Sequence, residues 1–316
     1  MRIIMKYQSN IFTGKLFLGV IFSLLCALFY SSQAAMVKGA ASVLPPLPMV
    51  VFLQNVISLI LFLPFVFKNG RAHAVKIFHS RRLNFQIYRT IFSLLLIYIL
   101  FYSVKFIPLV NVMLLINTAP LMIPFVAYLL FSQKINHRIW LPIMIGFSGV
   151  VIVLNPDAKI FHWVSLLALS GSTCMATGML CVRRAMLVDS ADTTTLYFLL
   201  LSSVISGLIV IPFWQPLKAE MVLPLLTIGG LYFLVQCTAS YALKFTTPQL
   251  VSTLFYSNII FAVILSDLVW HTELTYRTLL GIILIVSGGI LCIRAEYRAG
   301  KPESVILPKG MVIETE

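Results

Sequence analysis

The sequence predicts an all-α integral membrane protein: ten transmembrane helices in two inverted five-helix repeats. Three observations lead there. The 316 residues are 60% hydrophobic and only 10% charged, with a mean hydropathy of +0.99, whereas a soluble domain is roughly half apolar and a quarter charged. The apolar residues form long continuous runs. Lipid offers no water to the backbone, so a spanning chain must be helix or closed barrel, and barrel strands alternate over about 10 residues. Continuous runs therefore mean helices. Finally, the chain repeats itself. Residues 102–149 shifted by 139 positions fall without a gap on 241–288, matching Tyr102, Lys105 and Phe106 to Tyr241, Lys244 and Phe245. Arg138 falls on Arg277 and Ser148-Gly149 on Ser287-Gly288. An earlier pair, VISLILFLPF from Val56 and VISGLIVIPF from Val204, extends the likeness.

A spanning helix needs about 20 mostly apolar residues. Ten stretches qualify: 16–37, 48–67, 85–105, 109–131 and 138–154, then 163–182, 193–213, 222–243, 248–270 and 276–293. The first is long for a signal peptide and has no convincing cleavage site, so it is read as a retained span. Spans three and four meet at a tight corner at Ile107-Pro108, and spans eight and nine at Thr247-Pro248. Proline suits such corners because it cannot continue the preceding helix. The fifth span is the shortest and contains Pro142.

Five spans per repeat is an odd number, so the second repeat enters the bilayer upside down. Inverted repeats of this kind are a signature of secondary transporters. With the N-terminus inside, seventeen Lys and Arg fall on inner segments and five on outer ones, with Arg89 inside a span. By the positive-inside rule both termini are cytoplasmic. The expected organisation is a first repeat over 1–155, a second over 156–294, and a short disordered cytoplasmic tail over 295–316, which holds Pro302 and Pro308.

The net charge of +13 does not point to nucleic acid, because the basic residues lie between apolar runs rather than along one stripe. Cys26, Cys174, Cys181, Cys237 and Cys292 lie inside apolar runs without metal-ligand spacing and read as small buried hydrophobes. The five histidines are scattered over loops. No nucleophile-elbow, zincin or ATP-binding motif occurs, so neither an enzyme nor a self-contained primary pump is expected.

Ionisable groups within a span cost roughly 2.5–3.5 kcal/mol at a helix centre on insertion scales, so each needs a reason. Arg89, about one turn into the third span, reads either as a snorkelling arginine or as an anion-binding or gating charge facing a central cavity. Asp267, near the outer end of the ninth span, reads either as an interfacial acid or as a proton or cation site. Asp267 and nearby Glu273 are the coupling candidates. Gln33, Asn117, Gln236 and Asn258 sit at mid-membrane depth, where an amide needs a partner that a polar substrate or water supplies. Tyr30, Tyr98, Tyr232 and Tyr256 lie deep enough to stack on a flat or cationic substrate. Tyr102 and Tyr241, at span ends, read as interface anchors. In the sixth span Gly171, Ser172, Thr173, Thr177 and Gly178 read as interhelical glue, with hydroxyls bonding across helices.

The stretch FQIYRTIFSLLLIYILFYSVKFIPLVNVMLLINTAPLMIPFVAYLL followed by WLPIMIGFSGVVIVLNP has an echo in YALKFTTPQLVSTLFYSNIIFAVIL followed by HTELTYRTLLGIILIVSGGIL. Together they resemble the drug/metabolite transporter superfamily and, within it, the EamA family of ten-span carriers. The resemblance covers residues 16–294. It implies a central cavity lined mainly by spans one, three, four, six, eight and nine, transport by alternating access, and peripheral fifth and tenth spans. It implies a secondary carrier for a small polar metabolite in the cytoplasmic (inner) membrane, with amino acids and their derivatives first. The IPLV corner and arginine-led third span are similar to those of S-adenosylmethionine carriers. Uptake of that or another nucleotide-like metabolite is therefore the alternative. A membrane enzyme or receptor would need catalytic groups or a soluble domain that the sequence does not show. No cofactor is expected. The expected partners are the substrate, the lipid bilayer, and a proton or counter-substrate; a homodimer is compatible with the sequence. Two departures bear on charge preference. The family often has an acid just after the fourth and ninth spans, and Glu273 matches while Lys134 does not. Many relatives carry an arginine in the second span where this chain has Gln54; Arg89 does match.

Overall fold

The computed structural model describes residues 2–68, 76–107, 109–132, 137–156, 163–271 and 275–299. Among them there are twelve α-helices. The first repeat holds α1 (Arg2–Gly39), α2 (Leu47–Phe67), α3 (Leu83–Val104), α4 (Leu109–Ile116), α5 (Ala119–Phe131) and α6 (Trp140–Leu154). The second holds α7 (Val164–Ala185), α8 (Ala191–Val210), α9 (Ala219–Phe245), α10 (Pro248–Leu254), α11 (Ser257–Trp270) and α12 (Tyr276–Ala299). Ten stretches are long and apolar enough to cross a membrane, and they coincide with the ten expected spans. The end of the bundle where α1 begins and α12 finishes is called the base below.

Two expectations change. The tenth span, α12, does not stop at residue 293 but runs on through Ala299, five residues into the expected tail. Good helix formers continue it, and Glu296 is held there by the Thr247 hydroxyl at 3.0 Å. Residues 300–316 lie outside the described residues. The fourth and ninth spans, expected as continuous helices, are each broken near mid-span, at Asn117-Thr118 and at Phe255-Tyr256. At both breaks the backbone tightens to i→i−3 bonds, such as Thr118 N to Leu115 O and Tyr256 N to Thr253 O, each 3.2 Å. In the first repeat Pro120 explains the break, because it has no N–H to offer the carbonyl of Ile116. The second break has no proline. There Tyr256 is wedged against α6 so closely that a Cβ on Gly146 would come 3.0 Å from its ring.

The breaks fall within one residue of the shift of 139 that relates the sequence repeats. Two helix ends obey that shift without offset. Ser132 and His271 both close their helices in the left-handed region, at φ 51° and 50°. Their N–H groups donate to Tyr128 O at 2.9 Å and Asp267 O at 2.8 Å. The packing is two-fold as well. Exchanging the repeats exchanges spans one and six, three and eight, four and nine. Accordingly α1 packs on α9 as α3 packs on α7, and α1 on α11 as α7 on α5. The helices of the fifth and tenth spans, α6 and α12, pair with each other most extensively of all.

Glycines make that last pairing. A Cβ on Gly288 would sit 2.6 Å from the Gly146 nitrogen, and one on Gly149 would sit 2.6 Å from the Gly281 carbonyl oxygen. Small residues let two helix backbones meet directly, which is how helices gain packing in lipid. The sixth span, α7, works partly the same way, with Gly171 against Leu96 and Ile99 of α3. Its hydroxyls, however, do not bridge helices as expected. Ser172 donates to its own Leu169 O and Thr177 to Thr173 O.

Gly288→Ala forces a methyl group into backbone that cannot yield, so it should destabilise the protein by about 1–3 kcal/mol. Gly230→Ala, whose Cβ would meet only Leu61 Cδ1 at 3.9 Å, should be nearly neutral. Thermal unfolding of both variants in detergent checks the pair.

Candidate functional site

Four helices bring their polar side chains to one region by regular spacing. On α3, Gln86 and Arg89 are three apart; on α8, Thr194 and Phe198 are four apart; on α9, Tyr232 and Gln236 are four apart; on α1, Cys26 and Tyr30 are four apart. Residues three or four apart share a helix face.

Arg89 is the centre. It is only 5% exposed, which rules out the snorkelling reading, in which the head group stays in water. Among the described residues no carboxylate lies within ion-pair distance of it. Its charge is met instead by three weaker partners. One terminal nitrogen donates to Thr194 O at 2.9 Å, and the other donates to Gln236 Oε1 at 3.2 Å. The guanidinium lies 4.4 Å over the Phe198 ring. A guanidinium has five N–H donors, so donor capacity remains for an acceptor-rich ligand. A buried cation without a counter-charge is costly to keep and favours an anion beside it.

Aromatic rings border this cation. Tyr232 is in hydrogen-bonding contact with Gln236, and Tyr30 stands next to Tyr232. Tyr30 meets Phe255, at the broken ninth span, with ring centres 5.1 Å apart. One residue along α1, Ser31 donates to the backbone carbonyl of Asn258 at 2.6 Å. The helix break and the Arg89 cluster therefore share α1 as a common wall.

Of the residues expected from the sequence, Arg89, Gln236, Tyr232 and Tyr30 come together. Gln33 lies one turn from Tyr30 and donates to Gln54 at 2.9 Å, so Gln54 answers an amide rather than a substrate charge. Asn258 reaches the edge of the group through its backbone. Three residues do not join. Asn117 donates to Met113 O of its own helix and closes the end of α4. Tyr98 is nine positions from Arg89 along α3, and its hydroxyl has no hydrogen-bond partner among the described residues. Tyr256 is 1% exposed and packs with Leu114, Val150, Ile259 and Ile285 beside α6 and α12. Of the coupling candidates, Asp267 is half-buried near the far end of α11, and Glu273 lies outside the described residues. Tyr241 is more than an interface anchor: its hydroxyl donates to Asp192 Oδ1 at 2.9 Å.

Sequence reasoning missed Gln86, Thr194, Phe198 and Phe255. Gln86 had a signal, since it shares a face with Arg89. Thr194 acts through its carbonyl, and the two phenylalanines cannot be told from lipid-facing ones by composition.

The model of the EamA-like transporter family matches residues 17–155 and 162–294. A riboflavin transporter of Vibrio cholerae is 25% identical over 186 residues; the match spans 58% of this chain and 61% of that protein's own length. A solved crystal structure superposes with a TM-score of 0.73 at 17% identity, over 90% of this chain and 99% of the other. At that identity the likeness concerns the fold alone.

Gln236→Leu leaves a buried guanidinium donor unpaired, which should cost about 1–3 kcal/mol of stability. Combined with Arg89→Met, the loss should fall short of the sum of the single losses, because the two side chains share one bond. Unfolding midpoints of the four proteins in detergent measure that coupling.

Proposed function

The chain belongs to the EamA-like transporter family, and from that premise we propose that it is a secondary carrier that binds a small polar metabolite beside Arg89 and moves it by alternating access. One observation carries the reading: a buried guanidinium with no carboxylate partner among the described residues, at the junction of α3, α8 and α9. A cargo with a carboxylate or carbonyl edge supplies the missing acceptor, and amino acids and their derivatives fit that description. The excess of Lys and Arg on one set of connections supports a cytoplasmic base and an inner-membrane location. Asp267 and Glu273 remain the proposed coupling acids.

A second reading has its own support. The Phe198 ring lies against the cation and Tyr30 pairs with Phe255 at the broken ninth span, and one relative is named a riboflavin transporter. A flat heteroaromatic with carbonyl edges, which includes nucleotide-like metabolites and S-adenosylmethionine, would stack on rings and accept from the guanidinium at once.

Flux of radiolabelled candidates into proteoliposomes, with and without a proton gradient, tests both. Arg89→Ala should lower flux of the true cargo by about tenfold or more, the worth of a charge-assisted hydrogen bond. No flux of any carboxylate or heteroaromatic candidate would sink the carrier reading. Asp267→Asn should flatten the dependence on the proton gradient; an unchanged profile removes it from coupling.

A further inference from the structure

A second polar group joins the two repeats at the base, above Arg89 along α3. Asp189, in the turn between α7 and α8, is buried. Its carboxylate accepts three hydrogen bonds from the first repeat: Ser80 Oγ at 2.5 Å, the Arg81 backbone N–H at 2.9 Å and Gln86 Nε2 at 3.2 Å. Gln86 also donates to Thr194 Oγ1 at 3.3 Å, and the Thr194 carbonyl accepts from Arg89. One continuous chain of bonds thus runs from the base to the candidate site. Nearby, Tyr197 donates to Phe78 O at 2.7 Å, so the segment before α3 is held both to the turn before α8 and to α8 itself.

This arrangement is one-sided. Exchanging the repeats would place its counterpart at the far end, between the turn after α1 and the segment before α9. That turn reads Ala40-Ala41-Ser42-Val43 and has no ionisable side chain. Among the described residues no side-chain hydrogen bond joins residues 40–44 to residues 214–218. The far end does have Arg277 bonded to Asn155 at 3.4 Å, between the peripheral α12 and α6. In an inverted-repeat carrier the two access states are related by exchange of the repeats, so a converging network at the base, with no counterpart among the described residues at the equivalent turn, marks the base as the closed end.

We propose that Asp189 is a latch: it clamps the first repeat onto the second at the base, keeps Gln86 and Arg89 in place, and must let go for the site to open to that side. The proposal rests on the carrier reading. Asp189 is a positioning residue that acts on Arg89 through Gln86 and Thr194.

The native thiols report opening without any cargo. Cys181 stands close to Arg89 and Cys237 close to Asp192, while Cys174 lies two turns further from the base along α7. Membrane vesicles of known sidedness are treated with a membrane-impermeant maleimide from each side, and labelled peptides are identified by mass spectrometry. Asp189→Asn should raise labelling of Cys181 and Cys237 from the base side by about tenfold, as expected for loss of a charged acceptor, with Cys174 unchanged from that side. Ser80→Ala, which removes one of the three donors, should give a smaller rise in the same pattern and serves if Asp189→Asn does not fold. Unchanged labelling in a folded variant overturns the latch. Equal rises at all three thiols from both sides also overturn it, because they show general loosening. If no cargo yields flux but the base-sided rise appears, the latch stands and the carrier reading falls.

Discussion

No water reaches the middle of a bilayer, and that single constraint shapes every polar atom in this protein. Backbone groups satisfy one another within helices. Side-chain hydroxyls do the same by folding back on their own helix, as Ser23 does to Gly19 O, Ser32 to Leu28 O and Thr90 to Gln86 O. Once these local debts are met, few polar atoms remain to cross between helices. Those that do cross therefore stand out. Ser58 reaches the carbonyl of Gly229 at 2.8 Å, where a Cβ would lie 2.6 Å from Ile57. Ser202 donates to Asn55 at 3.0 Å. These bonds pin α2 to the second repeat, while the Arg89 cluster, the Asp189 group, Arg277 on Asn155 and Arg184 over Phe131 add charged contacts between the halves.

The bundle is two-fold in packing and one-fold in chemistry. Left-handed caps repeat under the shift of 139, the breaks to within one residue of it, and helix pairs on exchange of the halves. The side chains of the site do not. The position equivalent to Arg89 is Ile228, and that equivalent to Gln236 is Ile97. Packing needs only shape, which two halves can share. The proposed cargo, with one polar edge, would need a single polar partner set, and the side chains around Arg89 accordingly lack the symmetry that packing keeps.

Much of this was legible beforehand. The ten spans follow from hydropathy, and the inversion follows from an odd count in each repeat. Arg89 stood out because a charge in a span is rare. The breaks were legible in part: Pro120 signals the first, but the second depends on Tyr256 packing on a helix far away in sequence. Asp189 gave little signal, because an acid in a turn is ordinary until Ser80, Arg81 and Gln86 are seen to converge on it.

The division has a physical cause. A hydrophobic run fixes how deep each residue lies, so the sequence alone determined the spans, their repeat and the depth of Arg89, Asn117, Gln236 and Tyr256. It could not determine the rotation of each helix about its axis, because nearly every face is apolar and any face can meet lipid. Rotation is set by close approach, at Gly146, Gly149, Gly281 and Gly288 above all. Only the tertiary structure could therefore decide that Gln236 turns toward Arg89, that Asn117 turns back on its own helix, and that Tyr256 is sealed away.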